Sequence, residues 1–313
     1  MAVVDRRVGA KPLAAAARRP GRARRLDQVA PYVLVSPAVV YMVALVGYPF
    51  FLALYFSLSN ASVQQSVASF VGLENFGAAL ADPLFRNALL NSFIFTFGSG
   101  IVKGILGTGL AFLLLRPFPA RKVIRGFLML PWTLPIALSI LSWKWMFDPQ
   151  FSVINWTAGH LGLIHEPYPN WLGDPLYAFI AVIMVNVWRG FPFSAIIVLA
   201  GLTSVPSDII DAARVDGATW WQRWNRVIVP MIAPILFVGL LFDAVFTFAD
   251  LSVVYLLTNG GPINATDILP TLAFRTGILG GSLGRGSAIA LFMVPLLVLA
   301  VVLMLRNLRR REI

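Results

Sequence analysis

Six stretches of this 313-residue chain, at about 31–58, 89–115, 126–147, 175–201, 231–257 and 286–305, are apolar over roughly the length that crosses a bilayer, and each is bounded by charges, prolines or glycines. A helix of about 20 residues covers the roughly 30 Å of hydrocarbon in a membrane. Hydrocarbon offers no water to an unpaired backbone N–H or C=O, so a single apolar stretch at that depth must be helical. The remaining composition agrees: 58% of residues are hydrophobic and 12% charged, against about 25% charged in a soluble domain. Mean hydropathy is +0.78. These features exclude a soluble enzyme and predict an all-α integral membrane protein with six transmembrane helices.

Six spans put both termini on one side, and the basic residues decide which. The N-terminal arm (1–30) carries Arg6, Arg7, Lys11, Arg18, Arg19, Arg22, Arg24 and Arg25. The 116–125 loop adds Arg116, Arg121, Lys122 and Arg125, the 202–230 segment Arg214, Arg223 and Arg226, and the tail (306–313) Arg306, Arg309, Arg310 and Arg311. Those nineteen face only Arg86, Arg275 and Arg285 in the opposite loops, at about 59–88, 148–174 and 258–285. The positive-inside rule then places both termini in the cytoplasm. The chain divides into a basic, disordered arm, a six-span domain over 31–305 and a basic tail. The first span is too long for a signal-peptide core and is expected to stay uncleaved. Gly100, Gly104 and Gly107 share one face of the second span, where another helix can approach closely. Trp143, Trp145 and Trp171 fall near outer span ends and suit an aromatic belt.

Several chemistries are missing from the chain. Cysteine is absent, and His160 and His165 are too few for most metal cages. The net charge of +11 does not point to nucleic acid, because the basic residues flank apolar spans. No G-x-x-x-x-G-K-[ST] loop occurs, so ATP and Mg are expected on a partner and no cofactor on this chain. G-x-S-x-G and H-E-x-x-H patterns are absent as well.

The most informative segment lies between the fourth and fifth spans, at 203–234: TSVPSDIIDAARVDGATWWQRWNRVIVPMIAP. It is polar enough to leave the bilayer and predicts helix, turn, helix. Ser204 or Ser207 can cap the first helix, with Pro206 in its first turn, and Gly217 ends it in the left-handed conformation. Thr219 and Gln222 form a capping box for the second helix, and Pro230 with Pro234 ends it or kinks the chain before the fifth span.

These residues resemble the permease subunits of binding-protein-dependent ABC importers, whose cytoplasmic signature runs E-A-A, three residues, G, nine residues, I-x-L-P. Here it reads Asp211-Ala212-Ala213, Gly217 and Ile228-Val229-Pro230, with aspartate for the usual glutamate and valine for the usual leucine. The likeness extends to Phe70-Val71-Gly72-Leu73-Glu74-Asn75-Phe76, Asn170-Trp171-Leu172, the stretch 188–193, Ala200-Gly201-Leu202 and Leu257-Thr258-Asn259-Gly260-Gly261-Pro262. It covers the chain from about residue 32 onward and is similar to the maltose-permease-like first membrane subunit of the sugar and glycerol-phosphate branch. The short 148–174 loop lacks room for the domain inserted in the maltose permease.

The resemblance implies a type I importer permease fold and a bacterial plasma (inner) membrane location. It also implies translocation of a sugar or related polyol or glycerol-phosphate compound by alternating access, alongside a second permease, two ATPase subunits and an extracytoplasmic solute-binding (lipo)protein. The 203–230 segment becomes the coupling helix, with Pro230 closing the signature. Ala212, Ala213 and Ala218 keep its surface small, Asp211 and Asp216 offer carboxylates, and Trp220, Trp221 and Trp224 offer aromatic anchors to the ATPase. On the residues alone, an amphipathic helix lying on the inner leaflet fits equally.

An ionisable group at membrane depth costs at least about 2.5 kcal/mol, so Lys103, Arg189, Asp243 and Asp250 each need a partner or a wet cavity. Asp243 and Asp250, seven apart on the fifth span, share a face about 10 Å apart along the axis. They read either as a polar wall of the solute path or as structural partners of Arg189 and Lys103. Asn186, Trp188, Arg189 and Phe191 are further path candidates, because the apolar face of a sugar ring stacks on aromatics. An importer of another solute class and a polytopic membrane transferase are the alternative functions.

Overall fold

The computed structural model describes residues 21–64, 68–117 and 119–309. The predicted arm up to residue 20 and the end of the tail lie outside them. The chain packs as two units, Met1–Leu52 and Ala53–Ile313. In the first, α1 (Gly21–Met42) begins within the stretch expected to be an arm and continues through one π turn, Val43–Gly47. Its side chains Tyr32, Leu34 and Val40 are exposed. An apolar helix face this exposed meets lipid or a partner. Ala30–Ser57 is long and apolar enough to cross a membrane, its last part being α2 (Tyr48–Ser57).

The second unit is helical throughout its regular structure. In chain order it holds α3 (Glu74–Ala81), α4 (Pro83–Leu115), α5 (Arg121–Leu128), α6 (Leu130–Thr133), α7 (Ile136–Met146) and α8 (Val153–His160). Then follow α9 (Pro175–Ser204), α10 (Ser207–Val215), α11 (Trp220–Arg223), α12 (Val229–Phe248), α13 (Leu251–Leu257), α14 (Leu269–Phe274) and α15 (Leu283–Arg309). Four more candidate spans come from these: Pro83–Leu115, Pro175–Ser204, Trp220–Phe248 and Leu283–Arg306.

Two predicted spans differ in build. The 126–147 stretch is the short helices α5, α6 and α7 in succession, not one rod. Pro135 sets the last break, because a proline pushes the preceding residue to extended backbone, and Leu134 has ψ 144°. The fifth span begins and ends earlier than 231–257: it runs Trp220–Phe248 through a π turn at Trp224–Ile228, and α13 is a separate helix. Pro230 lies ten residues into this helix, where it removes one interior N–H, and the π turn Trp224–Ile228 falls directly before it, so the helix continues.

Helices α4 and α9 form the spine. A Cβ on Gly107 of α4 would lie 2.8 Å from the Ser194 Cβ and 2.9 Å from the Ala195 nitrogen of α9, so only glycine allows this approach. The predicted glycine face holds at that one position. Gly104 faces open space, and Gly100 points toward Asp243.

Three apolar clusters hang on the spine. Phe95, Ile140, Phe147, Val182 and Val253 join α4, α7, α9 and α13. Phe85, Phe248, Leu272 and Ile289 join α4, α12, α14 and α15. Ala111, Leu114, Val198 and Ile232 join α4, α9 and α12. Trp143 and Trp171 belong to the first cluster, where Trp171 Nε1 donates to Asn155 Oδ1 at 2.7 Å, while Trp145 stays exposed as a belt residue would.

The two loop motifs quoted above act as turn chemistry. Asn75 Nδ2 donates to the carbonyls of Ser57 and Ser59, and Gly72 takes φ +62°. Asn259 and Gly260 take φ 51° and 81°. The loop after them is tied back by Asn91, which donates to the Ala265 and Asp267 carbonyls, and by the 2.5 Å ion pair of Arg275 with Asp267.

Candidate functional site

A cavity of about 350 Å³ opens between α4, α6, α9 and α12, near the break before α13. Lys103 reaches it from α4. Its stem lies against Gly190, where a Cβ would meet the lysine Cδ at 2.6 Å. Lys103 Nζ donates to Asp243 Oδ1 at 2.5 Å and to Thr247 Oγ1 at 2.9 Å, and only 2% of the side chain is exposed. Asp243 and Thr247 are four apart on α12 and therefore on one face.

Asp250 is held differently. The helix stops at Phe248, and Asp250 is the N-cap of α13: its Oδ1 accepts from the backbone N–H groups of Ser252 (2.9 Å) and Val253 (3.3 Å). Oδ2 is left for Asn186 Nδ2 and Arg189 Nη1, both at 3.4 Å. The expected single helix face carrying both aspartates therefore does not exist, because a short polar side chain that captures the next backbone N–H groups competes with helix continuation. Both carboxylates still reach the cavity, and both are ion-paired, so the two readings of these residues coincide in one place.

Asn186 is buried, and its Oδ1 has no hydrogen-bond partner among the described residues. The Arg189 guanidinium carbon lies 5.8 Å from the Trp132 ring centre, and Trp132 stacks on Phe193 at 4.9 Å and 11°. Of the six path candidates, Asn186, Arg189, Asp243 and Asp250 line this cavity. Trp188 lines a second one with Trp143, on which it packs edge-on at 5.6 Å, and Phe191 lines neither. Trp132, Gly190 and Thr247 escaped the sequence reading. Thr247 alone carried a signal, its four-residue offset from Asp243.

The 203–230 segment matches its expected geometry closely. Gly217 has φ +76°, with Ala218 N–H donating to the Ala213 carbonyl and Gly217 N–H to that of Arg214, the paired bonds of a Schellman termination. Thr219 and Gln222 form the capping box, with bonds of 2.8 and 3.3 Å. One expectation is corrected: Pro206 is the N-cap of α10, and neither Ser204 nor Ser207 caps it. The Ser204 hydroxyl bonds back to the Gly201 carbonyl and Ser207 to the Asp208 carboxylate. Asp211 pairs with Arg214 on the surface at 2.8 Å. Trp224 and Trp220 both pack on Phe112, at 5.0 and 6.0 Å, and anchor the segment to α4, while Trp220 and Trp221 are more than half exposed. Asp216 and Ala212 are exposed, Ala213 and Ala218 half-buried.

A helical membrane bundle with paired charges around a cavity between its long helices, and a capped helix pair between two of those helices, is the build of a transport permease. The model of the family described as the binding-protein-dependent transport system inner membrane component matches residues 103–312, and the chain belongs to that family. It is similar to the trehalose/maltose transport system permease protein MalF of Thermococcus litoralis, with 31% identity over 260 residues, 83% of this chain and 87% of that one. The diacetylchitobiose uptake system permease protein DasB of Streptomyces coelicolor is 30% identical over 282 residues, covering 88% and 85%. Among solved structures, a bacterial ABC transporter involved in the import of the acidic polysaccharide alginate shares the fold, with TM-score 0.76, 20% identity and coverage of 93% and 99%. The chain is thus a multi-pass membrane permease subunit of an ATP-driven ABC importer and not an enzyme. ATP hydrolysis in such importers resides on a separate subunit.

Proposed function

We propose that this chain carries a saccharide or related polyol through the cavity between α4, α9 and α12 by alternating access. The arrangement that supports this is the juxtaposition of Trp132, Asn186, Arg189 and Asp250, an aromatic face beside hydrogen-bond donors and a carboxylate acceptor. A sugar ring offers an apolar face and a rim of hydroxyls to such a wall. Relatives named for trehalose/maltose and for diacetylchitobiose support the solute class.

The 203–230 segment docks on an ATPase subunit that binds ATP and Mg. Its exposed Trp220 and Trp221, small Ala212, Ala213 and Ala218, and carboxylates Asp211 and Asp216 make the contact, and the Gly217 corner sets its angle. A second permease, two ATPase subunits and an extracytoplasmic binding protein complete the importer. Both termini face the cytoplasm of a bacterial inner membrane, with 1–30 and 306–313 as its basic flanks.

The test is reconstitution of the complex in proteoliposomes with a panel of saccharides. Stimulated ATP hydrolysis and uptake for at least one saccharide, lost in Asn186→Leu, is the expected result. Transport driven only by amino acids or metal ions would overturn the solute class.

A further inference from the structure

Four ionisable side chains line the cavity, two cations and two carboxylates, and each cation faces one carboxylate. Its net charge is zero. The two pairs are unlike. Lys103 and Asp243 are closed on each other at 2.5 Å with Thr247. Arg189 and Asp250 meet through a single contact at 3.4 Å, with one third of the arginine side chain exposed to the cavity. A guanidinium carries five N–H donors, so most of those on Arg189 remain free for a solute. Asp250 cannot swing away, because its other oxygen is held by two backbone N–H groups of α13.

We propose that this open pair selects solutes by charge: the cavity takes an uncharged polyhydroxylated ring and rejects an acidic saccharide. The proposal rests on the cavity being the solute path. Neighbouring hydroxyls of a neutral ring donate to Asp250 and accept from Arg189. A carboxylate or phosphate would pair well with the arginine. It would also come to rest within a few ångströms of the fixed Asp250 carboxylate, in a site where repulsion between like charges is only partly screened. Arg189 alone would be an anion anchor. Asp250 beside it makes it a hydroxyl donor.

The experiment uses the complex captured through a tag on this chain, held in lipid nanodiscs, and titrated calorimetrically with matched probes. These are trehalose, maltose and cellobiose, each against its uronic acid or 6-phosphate counterpart. For the best-bound pair the neutral member should bind at least about tenfold more tightly, the factor that 1.4 kcal/mol represents. Asp250→Asn keeps the cap, since asparagine serves that position as well as aspartate. It should shift the ratio of acidic to neutral affinity toward the acidic member about tenfold or more, because the amide nitrogen that replaces Oδ2 donates to an anion and no longer accepts from a neutral hydroxyl. Arg189→Gln, which removes the cation and leaves Asp250 on its backbone bonds, should weaken the acidic member further and favour a cationic glucosamine disaccharide. Equal binding of the neutral and acidic members by the natural chain, or unchanged charge preference in both variants, overturns the proposal while leaving the path intact. If no saccharide of either charge binds, the reading of the cavity falls, and the proposal with it.

Discussion

Lys103 is the side chain whose position depends most on its neighbours. A lysine at this depth is tolerated because Gly190 leaves a trough for its stem and Asp243 meets its tip. Removing one member of a buried pair leaves an uncompensated charge, at a cost of about 3 to 5 kcal/mol, whereas replacing both with uncharged groups is often close to neutral. Lys103→Met should therefore deplete the protein from the membrane, and Lys103→Met with Asp243→Asn should restore most of it, both read by immunoblot of purified membranes. Asp250→Asn should behave differently, with near-normal abundance. Its cap survives, and Arg189 is exposed enough to be solvated in the cavity. Loss of the protein in that variant would show that Asp250 is a structural counter-ion. The presence of charges at these four positions was legible from the apolar runs around them. Which cation meets which carboxylate was not, because the partners lie 61 to 140 residues apart in the chain.

At the scale of elements, the α10–α11 corner is specified by neighbours no more than five residues apart. Nothing lies within 4 Å of a Cβ built on Gly217, so the constraint there is conformational and not steric. A non-glycine residue in this region pays about 1 to 2 kcal/mol, less for aspartate, which tolerates it better. Gly217→Asp should therefore assemble, yet tilt the corner and add a charge to the docking face. Uptake should fall several-fold while ATP hydrolysis persists, and normal uptake beside normal abundance would remove the corner from the coupling surface. The tryptophans give a paired prediction. Trp221→Ala should leave thermal stability unchanged and weaken pull-down of the ATPase subunit. Trp224→Ala, which strips one of two rings from Phe112, should lower the melting midpoint, by less than the roughly 3 kcal/mol of a fully buried aromatic because the ring is half-buried.

At the scale of the whole molecule, orientation rests on nineteen basic residues against three. Reporter fusions at residue 313 and within 148–174 should report the cytoplasm and the outside respectively, and a cytoplasmic signal from the 148–174 loop would break the six-span arrangement. Hydropathy by itself determined the membrane and the long helices, because lipid acts as a solvent on each stretch independently. The capping box, the left-handed glycine and the family signature were equally readable, since their partners are neighbours in the chain. Only the tertiary structure decided that the third predicted span is three short helices, that the fifth ends at Phe248, and that Trp143 and Trp171 pack inward. It alone brought Lys103, Asn186, Arg189, Asp243 and Asp250 around one cavity. Proline and aspartate mark where a helix can break, but whether it does depends on what the neighbouring helices offer the freed backbone groups. Pairing of charges across a bundle depends on the crossing of α4, α9 and α12, which no local pattern encodes.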